Sequence, residues 1–234
     1  MKVAVTGKNS KDIVQLVKDL GFEMVSSNSD LVISYGGDGT LLSSERTYPG
    51  IPKLPIRDSL FCNKCSDHSD KEILEKLLSG KLNLKVYKKL ETEIFYKTFY
   101  ALNDFVVRNQ QPTHTIRFKT SQTGDKLLIG DGVVISTTFG QTGYFKSITD
   151  QTFDTGFALA FNNTTEKAAP VILKDSDQLS FKLVRGKATL SMDNSADIFI
   201  IDEGSELIFK MSDQVAKIYE DTSLRCPKCQ VNRG

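Results

Sequence analysis

A glycine-rich segment near the N-terminus, Gly36-Gly37-Asp38-Gly39-Thr40, carries the residue types of a phosphate-binding loop. Glycines that follow the apolar run 31–34 let the backbone approach a ligand and turn its N–H groups toward phosphate oxygens. Asp38 would repel phosphate unless a cation or a transferable proton intervenes. The segment therefore predicts an aspartate that binds Mg²⁺ or accepts a proton from an attacking hydroxyl. The alternative is a tight turn with Asp38 as a helix N-cap. The spacing matches neither a Walker A loop nor a G-x-G-x-x-G fingerprint.

Two further polar clusters lie in strand-like surroundings. Asn103 and Asp104 interrupt an apolar run, and their amide and carboxylate groups could hold a ribose diol or an amide. The alternative for this pair is a bulge or a turn at the end of a strand. The third cluster begins at Asp131 and continues through residues 136–144, which are rich in hydroxyl groups and suit a base or a sugar. Its alternative is an ordinary surface loop.

All four cysteines occur in two C-x-x-C pairs, Cys62 with Cys65 and Cys226 with Cys229. Two such pairs supply the four thiolates of a tetrahedral structural Zn²⁺ site. We predict that these cysteines bind one zinc ion. The alternatives are two separate disulfides or free thiols.

The helices and strands that would position these residues follow two different sequence patterns in the two parts of the chain. Residues 1–85 predict an α/β nucleotide-binding domain, with strands at 2–6, 31–34 and 52–56 and a helix capped by Asp70. Residues 86–215 are a succession of short β-rich segments separated by turns, among them 205–210 and 214–219, and they predict an all-β sandwich. The predicted fold class is an α/β N-terminal domain plus an all-β sandwich C-terminal domain.

Composition indicates a globular protein. The 234 residues are 39% hydrophobic and 25% charged, and 30 basic residues nearly balance 29 acidic ones. A net charge of +1 provides no long-range attraction to nucleic acid or to an anionic membrane, so we expect neither as a partner. Because there is no signal-peptide pattern and no apolar run of roughly 18–20 residues, we expect a soluble cytoplasmic protein.

The three polar clusters, in this order and at these separations, resemble those of the NAD kinases. That family's pattern is a G-G-D-G-T loop, an asparagine–acid pair in a strand, and D-G-x-x-x-S-T-P-T-G-S-T-A-Y. The resemblance covers roughly residues 2–219 and includes residues 188–194, which are similar to the family's A-x-L-x-x-D-G-Q stretch. The loop alone also occurs in diacylglycerol and sphingosine kinases, whereas the third cluster points to NAD kinases. The family fold joins an α/β domain to a β-sandwich domain, and it implies that residues 216–234 form a tail returning to the first domain.

The resemblance implies phosphorylation of the adenosine-ribose 2′-hydroxyl of NAD, dependent on ATP and Mg²⁺, by a homo-oligomer (dimer or tetramer). Asp38 would be the catalytic base. The residues implied to shape the triphosphate site are Gly36, Gly37, Gly39 and Thr40. Those implied to bind the dinucleotide are Asn103, Asp104, Ser136, Thr142 and Tyr144, with Asp131 at the nicotinamide end, in this family often from a neighbouring subunit.

Several positions depart from the family pattern. Asp104 stands where the family usually has glutamate, and residues 55–61 lack the glycines of the family's G-I-N-x-G-x-L-G-F stretch. These departures fall in the acceptor wall, while Asp38 is retained. Two alternatives therefore stay open: a kinase of the same superfamily acting on another nucleoside or on a lipid hydroxyl, and a non-catalytic nucleotide sensor. Polyphosphate is an alternative phosphoryl donor, and NADH is an alternative acceptor.

Overall fold

The structure is a computed structural model that describes residues 1–58, 69–124 and 126–220. The chain separates into two compact units. Of the described residues, one unit comprises those within Met1–Val86 together with Ala216–Glu220, and the other comprises those within Tyr87–Val215. Two long strands, β5 (Asn83–Ile94) and β16 (Glu206–Glu220), contain residues of both units.

The first unit is built on a parallel sheet in the order β2-β1-β3-β4, and the end of β16 pairs with β4. Its strands are β1 (Lys2–Thr6), β2 (Glu23–Met24), β3 (Leu31–Tyr35) and β4 (Lys53–Ile56). Its helices are α1 (Lys11–Asp19), α2 (Asp38–Thr47) and α3 (Asp70–Leu78). Every residue of β3 is buried, as expected for a central strand of a parallel sheet. None of the helices in the described ranges is both long and apolar enough to cross a membrane.

The predicted cap of α3 is wrong by one residue. Ser69 is the N-cap, and its hydroxyl accepts a hydrogen bond from the Glu72 backbone N–H at 3.1 Å. Asp70 is the first helical residue, where a carboxylate interacts favourably with the helix dipole. Serine and aspartate are both preferred caps, so sequence alone does not decide between adjacent candidates.

The second unit contains two sheets. The first includes β6 (Lys97–Ala101), β5, β16, β13 (Gln178–Arg185), β8 (Ile116–Thr120) and β9 (Leu128–Gly130), in that order. The second is antiparallel, in the order β12 (Val171–Leu173), β11 (Phe157–Asn162), β10 (Gly132–Thr137), β7 (Asp104–Asn109), β14 (Ala188–Met192) and β15 (Phe199–Ile201). A short helix, α4 (Tyr144–Thr149), follows β10 and buries Phe145.

Apolar side chains from both sheets form the core of the second unit. Phe105 of β7 lies 5.5 Å from Phe209 of β16 between ring centroids, and Phe118 of β8 lies 5.3 Å from Phe181 of β13. The strands predicted at 205–210 and 214–219 are one continuous strand, β16. The polar residues between them do not interrupt it, and no glycine or proline intervenes.

Candidate active site

The glycine-rich segment connects the buried strand β3 to helix α2. The Gly36 N–H donates to the Ile56 carbonyl at 2.8 Å, which attaches the turn to β4. Gly36 has a φ of +156°, and a Cβ at this position would lie 2.3 Å from the Thr40 Oγ1. Only glycine fits this backbone without a displacement of Thr40. The turn therefore has a fixed course, and it leads directly into α2.

Asp38 is the first residue of α2 and is exposed, as are its two flanking glycines. The alternative prediction made Asp38 the N-cap of this helix. The N-cap is Gly37, one residue earlier. The N–H groups of a first helical turn point toward the N-terminal end of the helix and favour anions such as phosphate. This end of α2 thus presents a carboxylate beside a backbone suited to phosphate oxygens.

A network of buried and half-buried hydroxyl groups anchors α2 to the sheet beneath this loop. The Ser44 hydroxyl lies 2.6 Å from the Thr6 Oγ1 of β1 and donates to the Ser34 Oγ of β3 at 3.2 Å. Its oxygen is also 2.7 Å from the Thr40 carbonyl. These contacts hold the first turns of α2 against β1 and β3. Neither Ser44 nor Thr6 could be predicted from the sequence, because isolated hydroxyl residues carry no spacing signal.

In the second unit, the turn between β6 and β7 is held by the carboxylate of Asp193. This carboxylate accepts hydrogen bonds from the N–H groups of Leu102, Asn103 and Asp104 at 3.1, 2.7 and 3.3 Å. The Asp193 N–H in turn donates to the Asp104 carbonyl at 2.9 Å. Asn103 and Asp104 therefore lie on a turn whose backbone is bonded at three consecutive residues.

The carbonyl side of the same turn is held by Thr137, the last residue of β10. The Thr137 hydroxyl donates to the Leu102 carbonyl at 2.5 Å, and its backbone N–H donates to the Asn103 carbonyl at 2.9 Å. The same hydroxyl accepts from the N–H groups of Phe139 and Gly140, both at 3.1 Å. Thr137 thus joins the 102–104 turn to the loop that follows β10. The role of Thr137 depends on contacts between residues distant in sequence, so it could not be predicted from the sequence.

Asp104 is buried, with 5% of its surface exposed, at the start of β7. Burial, followed by the negative charge of Asp193, raises the pKa of Asp104 to about 7. Within the described part of the chain, no side chain donates a hydrogen bond to this carboxyl. A buried carboxyl of this kind is characteristic of binding and catalytic sites.

Curated proteins similar to this chain are NAD kinases. The NAD kinase of Aquifex aeolicus (strain VF5) is 28% identical over 230 residues, which cover 90% of this chain and 80% of that protein. NAD kinase 2 of Bacillus subtilis (strain 168) is 25% identical over 215 residues, covering 82% of this chain and 80% of that protein. No protein-family model matches the chain.

Over most of its length the chain is similar to NAD kinases. The resemblance that the three polar clusters indicated is thereby confirmed. These clusters, and not the two C-x-x-C pairs, are the part of the sequence that carries the family pattern.

Solved NAD kinase structures have the same fold. An NAD kinase from Archaeoglobus fulgidus in complex with ATP superposes with a TM-score of 0.77 at 19% identity, covering 95% of this chain and 94% of that one. A yeast NADH kinase in complex with NADH has a TM-score of 0.75 at 16% identity, covering 95% of this chain and 84% of that one. The predicted class, an α/β domain plus a β-sandwich domain, is confirmed.

The remaining residues of the NAD kinase pattern lie on and after β10. Ser136 is fully buried, and its hydroxyl donates to backbone carbonyls, including that of Asn103 at 3.4 Å. Thr142 is exposed in a short 3₁₀ turn. The half-buried Tyr144 begins α4, and its hydroxyl accepts from the Asn162 Nδ2 at 3.0 Å. The Asp131 carboxylate accepts from the Asn163 Nδ2 at 3.1 Å. These side chains share the second unit with Asn103 and Asp104.

The four cysteines predicted to bind zinc, Cys62, Cys65, Cys226 and Cys229, lie outside the described residues. In residues 1–58, 69–124 and 126–220 there is no group of three or more His, Cys, Asp and Glu that could hold a metal ion. The zinc site therefore stays a prediction from the sequence.

Proposed function

We propose that this protein transfers a phosphoryl group to the adenosine-ribose 2′-hydroxyl of NAD, with ATP as donor, and so forms NADP. The observation that carries the proposal is the position of Asp38. It is an exposed carboxylate on the first turn of α2, reached through a glycine turn whose close approach to Thr40 excludes a side chain at Gly36. The names of the curated relatives support the reaction, and the ATP complex of the archaeal relative supports the donor.

In the proposed reaction Asp38 accepts the proton of the attacking 2′-hydroxyl. The hydroxyl oxygen forms a bond to the γ-phosphorus while the bond to the β–γ bridging oxygen breaks, and ADP leaves. Such a transfer depends mainly on positioning and on charge stabilisation. The start of α2 contributes both, because its N–H groups favour the phosphate charge and its attachment to β1 and β3 through Ser44 keeps the loop in place.

The residues present fit a Mg²⁺ ion carried largely by the nucleotide. Mg²⁺ in such sites is usually bound through one or two carboxylates plus substrate phosphates. Asp38 is the carboxylate of the glycine loop, and the described residues contain no larger cluster that could hold a metal by itself. When bound, the ion would neutralise charge on the phosphates.

We assign the acceptor to the second unit. Asn103 and Asp104 provide an amide and a carboxyl on a fixed turn, and the Asn103 Nδ2 lies beside the 140–143 turn, 3.6 Å from where a Cβ on Gly143 would lie. An amide beside a carboxyl can both donate to and accept from a ribose diol. NADH is a second candidate acceptor, because one structural relative is an NADH kinase in complex with NADH.

The test is an assay of purified protein with Mg²⁺ and either ATP or polyphosphate as donor, against a panel of acceptors: NAD, NADH, adenosine and a diacylglycerol. The product is identified by mass spectrometry, and the phosphorylated hydroxyl by phosphorus–proton correlation in NMR. We expect NADP phosphorylated at the 2′ position, with ATP favoured over polyphosphate. Phosphorylation of another acceptor in preference to NAD and NADH, or nucleotide binding without turnover, would contradict the proposal.

A further inference from the structure

The β14–β15 connection contains Asp193, whose carboxylate accepts hydrogen bonds from the backbone of the turn between β6 and β7. Asp193 follows β14 directly and has a φ of +48°, a left-handed conformation that aspartate tolerates better than most residues. In this conformation its Oδ1 accepts from the N–H groups of Asn103 and Asp104, and its Oδ2 accepts from that of Leu102. Hydrogen bonds to an ionised acceptor are roughly twice as strong as neutral ones.

We propose that Asp193 is a positioning residue for the acceptor nucleotide. By holding three consecutive N–H groups, it fixes the direction in which Asn103 and Asp104 present their side chains. The inference rests on the proposed function, because that function assigns Asn103 and Asp104 to the acceptor. Asp193 itself need not contact the nucleotide.

The charge of Asp193 gives it a second effect on the same site. Asp104 is flanked on β10 by its pairing partner Ser136, which is uncharged, and on the β14 side by Asp193. Burial raises the pKa of Asp104, and the negative charge of Asp193 raises it further. A carboxyl that keeps its proton near neutral pH can donate a hydrogen bond as well as accept one. Asp193 therefore influences both the direction of Asp104 and its protonation.

The first experiment compares Asp193→Asn with Asp197→Asn. Asp197 is an exposed aspartate on the same connection that accepts from the Ser195 hydroxyl, so it controls for a change of charge in this turn. In Asp193→Asn, one carboxylate oxygen becomes an NH₂ group that faces an N–H donor. We expect the KM for NAD to rise roughly tenfold while the KM for ATP changes less than twofold. Asp197→Asn should leave both KM values unchanged.

The second experiment separates geometry from charge. We measure the KM for NAD between pH 5.5 and 8.5 in wild type, Asp193→Asn and Asp193→Glu. Because asparagine removes the repelling charge, the midpoint of the pH dependence should move to lower pH in Asp193→Asn. Glutamate keeps the charge but displaces it by one methylene, so Asp193→Glu should raise the KM for NAD without moving the midpoint. If Asp193 contributed only to folding stability, the KM for NAD would be unchanged in both folded variants.

Near-UV circular dichroism establishes whether each variant is folded. If Asp193→Asn does not fold, the KM for NAD of Asp193→Glu provides the test. An unchanged KM for NAD in a folded Asp193 variant, or an equal rise in the KM for ATP, would overturn the inference. Calorimetric titration of NAD gives the same comparison without turnover. If wild type binds NAD but makes no NADP, the proposed function fails, while weaker NAD binding in Asp193→Asn would still support the positioning role.

Discussion

Asp38 and Asp104 are the same residue type in two environments that differ in burial and in neighbouring charge. Asp38 is exposed on the first turn of a helix, where its carboxylate can reach a substrate hydroxyl and accept a proton. Asp104 is buried beside Asp193, which raises its pKa to about 7, so that near neutral pH it exists partly as a neutral carboxyl. We therefore assign proton transfer to the first and recognition of the acceptor to the second.

Asp38→Asn should lower kcat by about 10²–10⁴-fold, because asparagine cannot accept the proton of the attacking hydroxyl. Nucleotide binding should be largely retained, since the loop backbone is unchanged. Steady-state kinetics with NAD and ATP, together with calorimetric binding, would measure both effects.

The matched control for Asp38 is Asp12→Asn, which removes another exposed aspartate from a first helical turn of the same unit. Its turnover should equal that of wild type. Near-normal turnover in Asp38→Asn would exclude Asp38 from proton transfer.

The buried carboxyl of Asp104 should make folding stability fall as pH rises. Its folded-state pKa of about 7 lies above its ordinary value of 3.8, so between these values the folded chain keeps a proton that the unfolded chain releases. This contribution is complete below pH 4 and is lost as pH rises toward 7. The wild type should therefore lose about 2–4 kcal/mol relative to Asp104→Asn between pH 4 and pH 8.

Urea denaturation of both proteins at pH 4.5, 6 and 8 would measure this difference. Asp197→Asn is the control, and its stability should follow that of wild type across the range. If the stabilities of Asp104→Asn and wild type have the same pH dependence, Asp104 ionises as readily in the folded protein as in the unfolded chain.

At the scale of elements, the turn at residues 102–104, to which we assign the acceptor, is held from two strands. Thr137 at the end of β10 bonds the Leu102 carbonyl, and Asp193 at the end of β14 bonds the N–H groups of the same turn. β7 lies between these strands in the sheet and begins at Asp104. The ends of three neighbouring strands thus determine the backbone on which Asn103 and Asp104 lie.

Gly140→Ala tests this arrangement through packing. A Cβ at Gly140 would lie 2.3 Å from the Asn103 carbonyl oxygen, so the turn must move. We expect the KM for NAD to rise by roughly tenfold or more, corresponding to about 1–3 kcal/mol for a lost hydrogen bond, while the KM for ATP is unchanged.

Gly143→Ala is the milder comparison for Gly140→Ala. Its Cβ would meet the Gly140 carbonyl oxygen at 3.2 Å, a less severe contact than the 2.3 Å at Gly140. It should raise the KM for NAD less than Gly140→Ala does. Equal effects of the two variants would show that the contact between Gly140 and Asn103 does not limit binding of the acceptor.

At the scale of the whole molecule, one prediction from the sequence is a zinc site formed by two pairs of cysteines that are far apart in the chain. Four thiolates from two C-x-x-C pairs would fill a Zn²⁺ ion completely and leave no position for water, so the site would be structural. A zinc ion that joins Cys62 and Cys65 to Cys226 and Cys229 would close a long loop of the chain. Such closure would favour the folded chain mainly by restricting the unfolded one. Removal of zinc should therefore lower the melting temperature before it affects turnover.

Elemental analysis of protein purified without added metal, followed by thermal unfolding with and without a chelator, would measure this. A Cys226→Ser, Cys229→Ser double variant should bind less zinc and melt at the same temperature as the chelated wild type. If wild-type protein as purified contains no zinc and has four titratable thiols or two disulfides instead, the zinc site is excluded.

Local sequence determined the elements and the reacting groups. Buried β3, the glycine turn and the start of α2 are contiguous, so apolar patterning and glycine placement were sufficient to predict a phosphate-binding loop around Asp38. The succession of short strands after residue 85 likewise followed from alternation and turn residues. Adjacent caps such as Ser69 and Asp70, and the continuity of β16, were less certain because neighbouring residues have similar preferences.

The tertiary structure alone decided how the turn at residues 102–104 is held. Asp193 is 89 residues from Asp104 in the chain, and Thr137 is 35 residues from Leu102. No local spacing relates such residues, since their contacts arise only when β7 pairs with β10 and β14. The pKa of Asp104 is decided in the same way, because the burial and the neighbouring charge that raise it exist only in the folded sheet. The sequence by itself thus determined which groups could react, and the fold determined the backbone geometry and the charge with which Asp104 is presented.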